Sequence, residues 1–290
     1  MATSRTIAWF FVPGTLLYLV VFVFPTLNGL RYSFTDWNGM SETFRYVGLD
    51  NFKNVAENLI FHKAFFNNLK FMAAVVIVQS VLSLLVALLL SANSRKNVAL
   101  RGLFFFPAII SSVAIAFIGA FVYDPTLGLL NNLLTSIGLD SLAGNWLGDP
   151  DKAIYSVAAV QIWSHLGQMA LLYIAGIQGI PADLYESATL DGGNRWQLFR
   201  WITWPLLAPT ATIAVALTTI GSFKAFDLIF VMTKGGPSYS TEILSTYIYT
   251  AAFQNYRFGE ASAASVYFMA IIALITFIQF KSLRANRITQ

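Results

Sequence analysis

Six long apolar runs, separated by polar stretches, set the pattern of the chain: 7–30, about 71–92, 103–123, 153–180, 206–232 and 261–280. As a helix, each is long enough to cross a hydrocarbon core about 30 Å thick. The expected fold is therefore all-α and integral to a membrane, a bundle of six transmembrane helices forming a single domain over 1–290. The first run follows one basic residue, Arg5, as a secretory signal would. It is too long for a signal's apolar core and no small-residue cleavage site follows, so it reads as a retained span. Pro13 and Pro25 are placed to kink this span or to mark its ends.

The polar stretches add topology. Residues 31–68 are balanced in charge, and behind Asp50 the residues Phe52, Val55, Ala56, Leu59 and Ile60 fall at helical spacing, which predicts a short amphipathic helix on the outer surface. Its apolar face serves either as a docking surface for an external partner or as packing against the bundle; the pattern fits both. Arg95, Lys96 and Arg101 stand in one short loop without an acid, and Lys281, Arg284 and Arg287 in the tail, whereas the loop after 123 carries Asp124, Asp140, Asp149 and Asp151 against Lys152 alone. Basic residues concentrate in short cytoplasmic segments, so both termini are expected in the cytoplasm and the long loops outside.

Composition agrees with a lipid bilayer as the surrounding partner: 57% of residues are hydrophobic and 11% charged, where a soluble domain carries about 25% charged. A net charge of +4 spread over the loops suits membrane topology, and no nucleic-acid partner is expected. With no cysteine there is neither a disulfide framework nor a thiolate metal site.

Candidate chemistry lies where polar groups interrupt the apolar runs, because such groups are costly in lipid and face a cavity or a partner helix. Gln161, Ser164, His165 and Gln168 stand at i, i+3, i+4 and i+7 in the fourth run, on one helix face, and Thr218 and Ser222 repeat the i, i+4 relation in the fifth. Uncharged groups that both donate and accept hydrogen bonds suit a neutral, many-hydroxyl solute, while interhelical bonding accounts equally for Thr218 and Ser222. Lys224 and Asp227, three apart, either line the entrance to that path or pair with each other. His62 and His165 lie in different regions, so no metal site is expected, and no P-loop motif is present to cradle nucleotide phosphates. The chain is expected to carry no cofactor and no catalytic residues of its own.

Between the fourth and fifth runs, 181–209 forms a polar elbow. Pro181 and Asp183 favour a helix start, Asp191-Gly192-Gly193-Asn194 a sharp turn, and Asn194 a cap for a second helix from Arg195. Glu186, Ala188, Asp191, Gly192, Phe199, Ile202, Pro205, Leu207 and Pro209 stand at the spacing of a known motif. The segment resembles the EAA loop of inner-membrane permeases of ABC importers, departing from it at Ser187 and Gly193, where alanine is usual, and at Trp204, where leucine is usual. TDWNG at 35–39, VGLDNF at 47–52, FFFP at 104–107, the run 223–242 and the run 247–265 are similar to the carbohydrate-uptake branch of that family, on its MalF-like side.

The resemblance implies a MalF-like permease fold in a prokaryotic inner membrane, and a heterodimer with a second, MalG-like permease. It also implies two cytoplasmic ATPase subunits that bind ATP and Mg, and an extracytoplasmic solute-binding protein delivering a sugar. The elbow would be the coupling helix, with Glu186, Ser187, Ala188, Asp191 and Gly192 against the ATPase, working by alternating access. The alternatives differ in class. An ion-coupled secondary transporter would need intramembrane acids, and Asp227 is the one acid within a span. A permease for glycerol phosphate or another polyol would keep the machinery and change the cargo.

Overall fold

A computed structural model describes residues 4–284, so Arg287, used above for orientation, lies outside the described residues. Among the described residues the fold is helical, with one isolated antiparallel bridge, Thr35 to Tyr46. Five helices of the described residues are long and apolar enough to cross a membrane, and six if the sharply bent pair Arg95–Ile109 and Ser112–Val122 counts as one span. The first crossing comprises α1 (Ser4–Tyr18) and α2 (Phe24–Tyr32), joined by a π-helical turn at Leu19–Val23.

The described residues pack as two compact units, one from 4–62 with 247–271 and the other from 63–246 with 272–284. In the first, the predicted amphipathic helix is α3 (Asp50–Glu57). Its face packs within the unit. Val55 is fully buried, Asn51 Nδ2 donates to the Ser33 and Thr35 carbonyls at 2.9 and 2.8 Å, and the Phe52 ring meets Tyr267 edge-on. Gly39 sits at φ +85 directly against the Phe258 ring, a place where a side chain would collide.

The later elements are α4 (Leu59–Leu90), α5 (Arg95–Phe105), α6 (Ser112–Val122), α7 (Leu129–Ser136) and α8 (Ala153–Gln178). Then come α9 (Ala182–Leu190), α10 (Arg195–Leu198), α11 (Trp204–Phe223), α12 (Asp227–Met232), α13 (Leu244–Tyr249) and α14 (Phe258–Arg284).

Three spans differ from the apolar runs. The second span starts twelve residues earlier, because Asn58 Oδ1 accepts from the Ile60 and Phe61 amides and caps the helix ahead of the polar stretch with Lys63, Asn67 and Asn68. The third run is not one straight helix. It begins at Arg95 and bends by 98° between α5 and α6, where buried Pro107 brings no N–H and Ser111 Oγ caps a new start at the Ala114 amide. The fifth run breaks at Lys224, whose amide closes on Ile220, and α12 restarts at Asp227.

α8 is the spine of the second unit. Its Ile154, Val157, Ala158, Val160 and Ile162 pack with Phe71 and Val75 of α4, Ile115 and Ala116 of α6 and Leu228 and Ile229 of α12. Further along, Met169, Tyr173 and Ile174 pack with Ala87, Leu90, Leu207 and Ala214. At Gly167 the α8 backbone lies directly on the Phe104 carbonyl of α5, leaving no room for a Cβ. A loop after α12 is strapped to α4. Asn67 Nδ2 donates to the Tyr239 and Glu242 carbonyls at 2.9 and 3.0 Å, and Lys63 Nζ to the Ser238 carbonyl at 2.5 Å. Burial holds the Glu242 carboxyl above its ordinary 4.5.

Gly167→Leu should force α5 and α8 apart and lower the thermal unfolding midpoint in detergent by an amount equivalent to about 1–3 kcal/mol. Gly102→Ala on α5, where nothing stands within 4 Å, should not lower it. A raised carboxyl pKa means the fold favours the neutral acid. The contribution of Glu242 is therefore complete below pH 4.5 and declines as pH rises through the folded value. Glu242→Gln should flatten that decline in melts taken from about pH 4 to about pH 8.

Candidate functional site

Two features of the second unit gather the residues singled out in the sequence. The first is the elbow. Pro181 precedes α9 at its N-cap position, with ψ 132, and Asp183 sits in the first turn. At the other end the Gly192 amide bonds to Thr189 O at 3.0 Å and the Gly193 amide to Ala188 O at 2.9 Å, with Gly192 at φ +83. That pair of bonds is a Schellman closure, which needs a left-handed residue where Gly192 stands. One residue on, Asn194 Oδ1 accepts from the Gln197 amide at 3.0 Å while Gln197 Oε1 accepts from the Asn194 amide at 2.8 Å, a reciprocal capping box. From Arg195 the chain is helical through a π-turn at Phe199–Thr203 to Phe223, so the polar half of the elbow is the first part of the fifth span.

Tyr185 OH meets Thr203 Oγ1 at 2.9 Å and ties the elbow's two arms together. Glu186, Ser187, Asp191 and Gly192 are exposed and Ala188 is half-buried. Tyr185, Glu186, Thr189 and Leu190 line a shallow depression, and Leu190 is 89% exposed.

The second feature is a cavity of about 290 Å³ where α8, the α5–α6 bend and the break after α11 meet. Gln161, Ser164 and His165 line it, as the helical spacing places them. Ser164 Oγ donates to Gln161 O at 2.9 Å and lies 2.7 Å from His165 Nδ1. Gln168, the fourth member of that stripe, is exposed and outside the lining. Thr218 and Ser222 are buried in helix packing, with Ser222 Oγ donating to Thr218 O at 2.7 Å, and they too are outside the lining.

Lys224 and Asp227 do line the cavity, and they do not pair with each other. Asp227 instead accepts from Ser112 Oγ, at the start of α6. Ser112 was not foreseen. Its signal was the Ser111-Ser112 pair four residues after Pro107 in an otherwise apolar run. The lining thus offers an amide, two hydroxyls, an imidazole, one cation and one carboxylate, a donor and acceptor set for a polar solute. Among the described residues no cluster of His, Cys, Asp and Glu could hold a metal ion.

Residues 79–285 match the family model described as the inner membrane component of binding-protein-dependent transport systems. The chain is 33% identical over 286 residues to the probable ABC transporter permease protein YurN of Bacillus subtilis, with 98% of each chain covered. It is 32% identical to AmyD of Thermoanaerobacterium thermosulfurigenes, a probable starch degradation products transport system permease protein, covering 93% of this chain and 91% of that one. To MsmF of Streptococcus mutans, a multiple sugar-binding transport system permease protein, it is 30% identical, covering 94% and 93%. Among solved structures, a bacterial ABC transporter involved in import of the acidic polysaccharide alginate is similar at a TM-score of 0.83 and 25% identity, covering 98% of this chain and 96% of that one. That alginate transporter type is also solved in complex with an alginate pentasaccharide-bound periplasmic protein.

Gly192→Val should cost about 1–2 kcal/mol at the Schellman closure and raise hydrogen exchange at the Gly193 amide by roughly tenfold. Asn194→Ala, which removes half the capping box, should cost about 1 kcal/mol and speed exchange at the Gln197 amide.

Proposed function

The chain belongs to the family of inner membrane components of binding-protein-dependent transport systems, the permeases of ABC importers, and on that footing we propose that it is one membrane-spanning subunit of an ATP-driven sugar importer. The observation that carries this reading is that the same two helices connect the elbow to the cavity. α8 runs from Gln161, Ser164 and His165 at the cavity to Gln178 beside the elbow, and thirteen residues from His165 make about 20 Å of helix. The second arm runs from Arg195 at the elbow to Gly221 and Lys224 at the cavity. A displacement of the elbow is therefore a displacement of the cavity walls.

In this reading the elbow docks on a separate ATPase subunit through Glu186, Ser187, Ala188, Asp191 and Gly192. ATP and Mg belong to two such subunits, and this chain catalyses nothing itself. Closure of the ATPase pair draws the elbows together, closes the inner gate and opens the cavity toward the binding protein, and an effector can shift that equilibrium only by contacting the two states differently. A second, homologous permease completes the path, and an extracytoplasmic solute-binding protein delivers the sugar to it. Both termini and the elbow face the cytoplasm, consistent with Arg95, Lys96 and Arg101 on the first turns of α5, just after α4 ends. The donor and acceptor lining suits hydroxyl-rich cargo, and the names of AmyD and MsmF support a sugar.

Glu186→Lys should leave the protein inserted and folded, abolish uptake in reconstituted vesicles and loosen association with the ATPase subunits. Normal uptake by a stably assembled Glu186→Lys complex would overturn the coupling assignment. Uptake that survives ATP depletion but fails when the ion gradient is collapsed would instead make the chain a secondary transporter.

A further inference from the structure

The C-terminal carbonyls of α4 are held by two side chains that approach from different helices of the same unit. Arg101 on α5 donates from Nε to Leu90 O at 2.9 Å, and from Nη2 to the Leu90, Ser91 and Ala92 carbonyls at 2.6, 3.0 and 3.0 Å. Its Nη1 reaches Asn93 Oδ1 at 3.2 Å. Gln178, the last residue of α8, donates from Nε2 to Ser91 O at 2.9 Å and to Asn93 Oδ1 at 3.0 Å. Both side chains therefore share the same two acceptors.

Arg101 has an ordinary explanation. The last carbonyls of a helix lack partners within it and form the negative end of its dipole, so a forked cation suits them. Gln178 does not. It is an exposed, uncharged side chain, and the acceptors it reaches are already served by Arg101. Its target is also firm, because Asn97 Nδ2 holds Ala92 O at 3.0 Å and Ser94 Oγ accepts from the Asn97 amide at 3.2 Å. On the other side of Gln178 lies the weakest joint in the lever. Gly179, Ile180 and Pro181 separate α8 from α9, and Pro181 has no amide to extend the ladder across the gap.

We propose that Gln178 is a positioning residue for coupling: with Asn93 and Arg101 it clamps the end of α8 to the end of α4, setting the direction in which α9 leaves the membrane. This rests on the reading of α9 as the coupling element. With the clamp closed, motion of α9 passes into α8; with it open, the Gly179–Pro181 joint absorbs that motion. The conformational cost of a floppy joint falls on the coupling free energy between the two sites and leaves the binding chemistry at each intact.

The chain has no native cysteine, so paired spin labels can be placed at Lys96→Cys on α5 and Asp183→Cys on α9 without competition. In the assembled transporter in lipid, the distance distribution between them should broaden about twofold in Gln178→Leu, which removes the donor and ends one atom short of the acceptors. Gln178→Lys, which restores an N–H donor, should return the width to that of the wild type. In the same preparations, solute moved per ATP should fall roughly fivefold for the leucine variant and recover for the lysine variant. The proposal is overturned if the leucine variant keeps the wild-type width, if lysine does not restore it, or if the width changes while solute per ATP does not. The distance reading uses no ATP, so it decides the clamp even where wild-type uptake proves independent of ATP, an outcome that overturns the functional reading instead.

Discussion

The first N–H and last C=O groups of a helix have no partner within it, so a turn between two helices holds one geometry only where those ends are closed. This constraint is met at 188–197. The Schellman bonds to Ala188 and Thr189 satisfy the end of α9, the Asn194–Gln197 box satisfies the start of the next helix, and Gly192 supplies the single left-handed step between them. The elbow is therefore a stiff corner, and a stiff corner is what allows two long helices to be moved from one place.

The cavity is built on the opposite principle. It lies where two helical runs are interrupted, at the bend after Pro107 and the break at Lys224, against the polar face of α8. Interruptions in membrane helices leave polar groups that must be satisfied locally, and here Ser112 and Asp227 satisfy one another across the gap. In the proposed mechanism regular helices carry the displacement and the interruptions provide the chemistry, and α8, packed into both apolar clusters, joins the two.

Much of this was legible in the residues. The six apolar runs, the Asp50 helix and the Asp191–Asn194 turn each followed from patterns with a local physical cause, and the structure has all of them. The stripe at Gln161, Ser164 and His165 was legible for the same reason, since helical spacing alone puts them on one face. What escaped was set by packing. Hydropathy does not distinguish a straight span from one bent by 98°, because the residues on both limbs are equally apolar. The expected Lys224–Asp227 pair fails because the fifth helix ends between them, so their spacing of three no longer places them on one face. Gln168 shares the stripe's spacing, yet it is exposed and outside the cavity lining.

The account turns on the elbow and the cavity being two ends of one lever, and the measurement that reaches it most directly is the accessibility of the cavity itself. With a single cysteine introduced at Ser164, maleimide labelling in the assembled, reconstituted transporter should change by roughly tenfold between nucleotide-free and ATP-bound states. The same measurement in a Glu186→Lys background should show no nucleotide dependence. If labelling at Ser164 responds to ATP equally well with the elbow altered and the complex intact, the two sites are coupled by some other route and the lever is not the mechanism.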